Sequence, residues 1–244
     1  GDPGHFWQLR PALDIELTHQ EEGWIFSVQT SAEGLRDEGI PDSPWILALG
    51  DSTTFGWGVE AEETWPEQLE ERLSMPVVNA GVPGHSTHQG LDFAPPLLAR
   101  GPDLVLFSWL LRDAELASRP DSDARAAVFP RNTHLYALVK GLLPVRTGPA
   151  SIPRVSPTDF AANLQSLARV ATEHRVDVMV LAFPMVDPPL AHLGALATVG
   201  LGVLSPELPR EAFFAQDPLH LNAEGHQLLA AALEGPIRQR LAAE

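Results

Sequence analysis

Short apolar runs separated by longer amphipathic stretches set the rhythm of this chain from Trp45 onward. Trp45–Gly50, Val77–Gly81, Leu104–Trp109 and Val176–Phe183 are brief and apolar almost throughout, as strands covered on both faces must be. They predict four strands of a parallel sheet, with a fifth, weaker one at Gly202–Leu204. Thr64 followed by Glu67 has the spacing of a capping box, with Pro66 in the first turn, and opens a helix running through Leu73. A second helix starts near Ser86 or Thr87. A third, Thr158–His174, places Phe160, Leu164, Leu167 and Val170 on one face, and a last covers Ala223–Leu233. This alternation defines a doubly wound α/β fold.

Two segments break the rhythm. Residues 1–44 alternate polar and apolar positions, as in Trp24-Ile25-Phe26-Ser27-Val28, and carry several Gly and Pro breaks. They predict an extended, β-rich arm ahead of a main domain at 45–244. Between about 114 and 157 the chain turns rich in Pro, Arg, Ser and Asp, with one short helical piece around Leu135–Leu142. An insertion of that length reads as a lid or binding loop.

Composition narrows the function. At 244 residues, 44% hydrophobic and 20% charged, the chain suits one sizeable core. Its 16 basic against 32 acidic residues give a formal charge of −16, with no basic cluster, which argues against a nucleic-acid partner. The absence of cysteine excludes thiolate catalysis and cysteine-ligated metals. No apolar run reaches the roughly 18 residues of a membrane-spanning helix. The chain opens on Gly1 rather than Met, which is compatible with a removed leader or anchor.

In an open parallel sheet the chemistry gathers at the carboxyl ends of the strands. The first strand ends in Gly50-Asp51-Ser52-Thr53-Thr54, a tight turn that lifts a hydroxyl to the sheet edge. The second ends in Asn79-Ala80-Gly81-Val82-Pro83-Gly84, a Gly-rich loop whose free N–H groups can face an oxyanion. The third ends in Leu110-Leu111-Arg112-Asp113. Far downstream, Asp217 and His220 stand at a spacing that lets a carboxylate brace one imidazole nitrogen while the other faces the site.

In these blocks the sequence resembles the SGNH hydrolases of the GDSL esterase/lipase type, over roughly Trp45–Leu233. The resemblance implies a flavodoxin-like α/β/α sandwich with a central parallel sheet of about five strands. It implies a Ser52, Asp217, His220 triad that acts through an acyl-enzyme, with no cofactor and no metal. It also implies an oxyanion hole from Ser52 and Gly84, completed by a third donor. There the chain departs from the family: Leu110-Leu111-Arg112-Asp113 stands where Gly-x-Asn-Asp is expected, so Arg112 replaces an asparagine donor worth about 3 kcal/mol by analogy with other oxyanion donors. The opening Phe6-Trp7-Gln8-Leu9-Arg10-Pro11 resembles members whose domain follows a membrane anchor or export signal, which favours an extracytoplasmic location.

Each candidate has a plainer reading. Ser52 can cap a helix, His220 can flank one, and Gly84 can serve a turn. Arg112 can pair with Asp113 or another carboxylate. His85 and His88 flank the oxyanion loop as ordinary loop histidines, His226 reads as structural, and Asp51 as a brace for the nucleophile loop. Phe55, Trp57 and Trp65 either line an acyl pocket or pack on the sheet, and Arg131, Arg146 and Arg154 in the insertion either bind an anionic substrate or balance charge. Three further functions remain open beside the esterase: an acetylesterase or acyltransferase on an extracytoplasmic glycan, a weakly catalytic glycan-binding module, and a metal hydrolase using Asp217, His220 and Asp113. The substrate and the oligomeric state are not encoded in any motif.

Overall fold

The computed structural model describes residues 7–42, 44–126 and 151–243. Its centre is a parallel sheet of β3 (Ile46–Gly50), β4 (Val77–Gly81), β5 (Leu104–Ser108), β8 (Asp177–Leu181) and β9 (Gly202–Leu204), in the order β4-β3-β5-β8-β9. Alternate residues of each strand feed opposite cores. Leu47, Leu49, Val105, Phe107 and Val180 face α3 (Thr87–Leu98) and α6 (Pro157–Glu173). Ile46, Ala48, Leu104, Leu106 and Leu181 face α2 (Trp65–Leu73) and α8 (Ala223–Leu241). This is the expected α/β/α sandwich. Because both faces are covered, the strands tolerate no polar alternation.

α8 outruns its expected end at Leu233 and passes through Pro236 to Leu241. A proline inside a helix costs roughly 3 kcal/mol. The next residue offsets much of that, because Ile237 is fully buried against the sheet, and burying such a side chain contributes about 2 kcal/mol. The Thr64–Glu67 capping box does not form: Thr64 sits at the N-cap of α2 but its side chain makes no capping bond. Its own N–H already donates to Ala61 O at 3.0 Å, closing a preceding 3-10 turn (Ala61–Glu63) and leaving Glu67 nothing to reach. The His226 imidazole takes over, its Nδ1 accepting from the Trp65 N–H at 3.0 Å.

The first 44 residues contain an antiparallel hairpin of β1 (Asp14–Thr18) and β2 (Ile25–Gln29). Phe26 and Val28 bury against Phe55, three residues after Ser52. Arg36 locks this contact. Fully buried, it donates to the carbonyls of Phe55 and Gly56 at 2.7 Å each and to Val59 O at 2.7 Å, with its guanidinium 4.4 Å from the Phe55 ring. Burial, partly offset by Glu60, Glu62 and Glu67, brings its pKa down to about 10, still charged at neutral pH.

The insertion has more order at its ends than the sequence pattern indicates. β6 (Leu116–Ala117) pairs with β7 (Ile152–Pro153), and a short helix α5 covers Asp121–Ala126. Leu135–Leu142, with Arg131 and Arg146, lies outside the described residues. Two further short helices, α4 (Leu110–Ala114) and α7 (Leu190–Leu196), follow β5 and β8, and α4 lines the site.

Candidate active site

Three strand ends and the loop before α8 converge on Ser52. Ser52 opens a single helical turn, α1 (Ser52–Phe55), held by Asp51, whose Oδ1 accepts from the Thr53 N–H and Oγ1 at 2.8 Å each. Asp51 Oδ2 receives the Arg112 backbone N–H at 3.3 Å, tying α4 to the nucleophile turn. Burial raises the Asp51 pKa, opposed by Arg112, Thr53 and His220. Asp51 is thus placed as a brace, with both oxygens occupied.

Ser52 Oγ lies 2.8 Å from His220 Nε2, and His220 Nδ1 lies 2.5 Å from Asp217 Oδ2. Asp217 Oδ1 accepts the Leu219 N–H at 3.0 Å. Burial alone would raise the Asp217 pKa, but the His220 hydrogen bond and charge, the Leu219 N–H and His19 together hold it below the ordinary value. All three side chains are buried. The structure therefore brings Ser52 together with Asp217 and His220, 168 residues separating Ser52 from His220.

Gly84 occupies a left-handed turn at φ +82°, a conformation that favours glycine, in a loop tied to the nucleophile strand by the Val82 N–H donating to Gly50 O at 3.1 Å. A Cβ at Gly84 would approach the Trp7 ring to 3.0 Å. Trp7 also donates its indole N–H to Pro83 O at 2.9 Å, and its carbonyl contacts His85 Nε2 at 2.8 Å. His85 is buried and serves this clamp, while His88 is half-buried on α3.

Arg112 reaches the nucleophile. Its Nη2 donates to Ser52 Oγ at 3.3 Å and its Nη1 to Glu115 Oε1 at 3.1 Å, whereas Nε is buried with no hydrogen-bond partner among the described residues. It does not pair with Asp113, which faces the start of α3 instead and accepts the Thr87 N–H at 2.8 Å. Burial pushes the Asp113 pKa up to about 8, against the pull of the Thr87 hydrogen bonds. Asp113 is thus engaged away from Asp217 and His220, which removes the support for a metal site built on those three.

The other sequence candidates have structural work. His226 is fully buried, and burial, with the charges of Arg36 and His220, lowers its pKa to about 3. Phe55 and Trp65 are core residues, and Trp57 packs edge-on against Phe26 at 5.4 Å. Arg154 braces the base of the insertion, with Asp121 Oδ2 at 2.9 Å and Glu115 Oε2 at 3.3 Å from its guanidinium. Burial would lower its pKa, but Asp121 and Glu115 raise it.

A cavity of about 250 Å³ opens beside Arg112, with Leu111, Met185, Val186, Pro218 and Leu219 among its walls. The sequence patterns marked none of these except by adjacency to the motif blocks. They also passed over His19, at the turn after β1. It is fully buried, and its Nε2 lies 3.4 Å from Asp217 Oδ2. Among the described residues, no helix is long and apolar enough to cross a membrane.

The family comes from the sequence and the fold from solved structures. The chain matches the GDSL-like lipase/acylhydrolase family over residues 48–228 and belongs to that family of carboxylic-ester hydrolases. A curated relative, an arylesterase of Vibrio mimicus, is 37% identical over 67 residues, spanning 25% of this chain and 34% of that enzyme. Similar solved structures include a putative lipolytic G-D-S-L protein of Desulfitobacterium hafniense DCB-2. It shares 15% identity at a TM-score of 0.54, covering 79% of this chain and 98% of that one. The psychrotrophic esterase EstA of Pseudoalteromonas sp. shares 14% identity at a TM-score of 0.54, covering 82% and 100%. At these identities the structures show the fold alone.

Proposed function

We propose that the protein is a serine esterase in which Ser52 attacks the acyl carbon of a small ester. His220 takes the serine proton and returns it to the leaving alcohol. Asp217 fixes the tautomer that leaves Nε2 free to accept, and stabilises the imidazolium. Water then repeats the sequence on the acyl-enzyme, and no cofactor enters. The observation that carries the reading is the unbroken relay from Ser52 Oγ through His220 to Asp217, at 2.8 and 2.5 Å. The backbone N–H groups of Ser52 and Gly84, with the Arg112 guanidinium, hold the oxyanion.

The cavity beside Arg112, about 250 Å³ with mostly apolar walls and Arg112, Glu115 and Asp187 among its lining, lies below the range of drug-sized ligand pockets and suits a short acyl group. That size keeps the second reading in play, an acetylesterase or acetyltransferase on an extracytoplasmic glycan, because acetyl is the shortest common acyl group. Labelling by a fluorophosphonate tests the nucleophile: the wild-type protein labels and Ser52→Ala does not. A panel of alkanoyl esters of graded length, an aryl ester and an acetylated polysaccharide then assigns the substrate. A wild-type protein that neither labels nor turns over any ester sinks the proposal, and glycan binding without turnover would make it a binding module.

A further inference from the structure

We infer that His19, carried by the N-terminal hairpin, is a positioning residue for the triad, donating its Nε2–H to the same Asp217 oxygen that holds His220. The inference rests on the esterase reading and adds a residue outside the matched motif blocks.

The seat of this imidazole is specific. The Glu22 N–H donates to His19 Nδ1 at 3.3 Å. A nitrogen that accepts cannot carry the proton, so in the neutral ring the proton sits on Nε2. Nε2 lies 3.4 Å from Asp217 Oδ2, just outside hydrogen-bond geometry, and is buried with no hydrogen-bond partner among the described residues. A buried donor is costly to leave unpaired, and catalytic hydrogen bonds that are long in a free enzyme tighten around the transition state.

The ring is gripped edge-on by Phe214 at 4.7 Å and lies 5.5 Å from Trp24. Trp24 is itself pinned by its indole N–H to Gly58 O at 2.8 Å. Gly58, at φ +92°, leaves the space the ring needs: a Cβ there would come within 2.4 Å of His19 Cδ2. Glu22 completes the clamp from the other side, its carboxylate accepting the Gln216 N–H at 2.7 Å, one residue before Asp217. Hairpin and triad loop are thus fastened together on both sides of the contact.

One alternative use of the cluster fails on the same tautomer. His19, Glu21 and Asp217 offer ligand atoms within 4.8 Å of one another. A metal on either ring nitrogen would cost the Glu22 hydrogen bond: on Nδ1 directly, and on Nε2 because the proton of the neutral ring would then sit on Nδ1. Hydrogen bonding to the triad carboxylate is the role that keeps the Glu22 bond.

With Leu219 N–H on one oxygen and two imidazoles on the other, Asp217 is held in one rotamer, and its charge is shared between His220 and His19. Removing the His19 donor frees the carboxylate to rotate and concentrates its charge on His220. Glu21, 3.7 Å from His19 Nδ1, Glu22 on the Gln216 N–H, and Asp51 and His226, which interact with the His220 charge, also face the cluster, and Arg112 faces it across Ser52.

The test compares His19→Phe, which keeps the aromatic packing without a donor, with His19→Gln, which restores one. Turnover is normalised to sites titrated with fluorophosphonate. His19→Phe is expected to lower kcat about tenfold with KM unchanged, the scale of one oriented hydrogen bond, and to move the acid limb of kcat/KM to higher pH. His19→Gln should recover to within about threefold of wild type. A merely structural role would lower the titrated fraction and leave kcat per site and the pH limb where they were, which overturns the inference alone. Failure of the wild-type protein to label overturns the esterase reading as well. Nitrogen-15 NMR of the wild-type imidazoles supplies a readout that needs no variant. The Nε2–H tautomer at His19 supports the inference and the Nδ1–H tautomer overturns it, including in the case where His19→Phe does not fold.

Discussion

Replacing Arg112 by methionine asks how much of the reaction barrier its charge removes. The guanidinium Nη2 stands 3.3 Å from Ser52 Oγ, so an oxyanion two bonds from Oγ forms within about 4 Å of the charge. At an effective dielectric of about 20 this attraction is roughly 4 kcal/mol. Glu115, 3.1 Å from Nη1 but itself 43% exposed, opposes it at the flank, and halving the figure leaves about 2 kcal/mol, or roughly 30-fold in rate. The lost donor in a water-poor site carries the effect toward 100-fold, the lower end for oxyanion donors elsewhere. The assay is steady-state hydrolysis of a short-chain ester beside fluorophosphonate titration of active sites. Arg112→Met should lower kcat by about 30- to 100-fold with KM within about threefold, because the interaction arises only once charge develops. A kcat within threefold of wild type, or a rise in KM alone, would refute the reasoning and return Arg112 to a role as partner of Glu115.

Three further predictions concern stability. Glu67 is raised to about 7 by burial and by Asp37, Glu70, Glu38 and Glu62. The folded state therefore holds a proton the unfolded chain releases, and stability falls as pH rises from about 4.5 to 7. After discounting for solvent screening, Glu67→Gln should gain roughly 1–2 kcal/mol above pH 7 and little at pH 4, read by urea unfolding at both. Asp113, raised to about 8 by burial, has the same sign over a wider window. Asp113→Asn should flatten the decline in melting temperature toward pH 8, and an unchanged slope would show that the carboxyl is ionised already. His226→Leu leaves the Trp65 N–H without its acceptor, a loss of about 2 kcal/mol and roughly 4–8 °C in Tm at pH 7.5. Because folded His226 titrates near 3 while the unfolded residue takes a proton near 6.5, stability drains as pH falls below 6.5, and the variant's acid slope should be shallower.

The central strands were legible because burial on both faces forces an apolar run, and the proposed triad was suggested because each of its blocks carries its chemistry within a few residues. What could not be read lies in partners distant along the chain. Nothing near Thr64 reveals that His226, 161 residues after Trp65, supplies the helix cap. Nothing near Pro236 shows that Ile237 will find the sheet. Arg154 has the look of a substrate ligand until Asp121 and Glu115 are seen beside it. Arg112 was identified as the anomaly of the third block, but its direction toward Ser52 rather than Asp113 depended on Asp113 being held by Thr87. His19 sits in no motif, and only the docked hairpin gives it a neighbour.

The distance in sequence between Ser52 and His220 has a consequence for synthesis. A ribosome delivers the nucleophile turn and all five central strands before it delivers the base, and α8, which caps one face of the sheet, follows the base. If Ser52 and His220 act as proposed, a nascent chain stays chemically silent until the segment carrying Asp217 and His220 docks. On the proposed mechanism, activity reports that the segment carrying Asp217, His220 and α8 has docked, and a product ending before Asp217 would lack both the base and the helix that covers one face of the sheet.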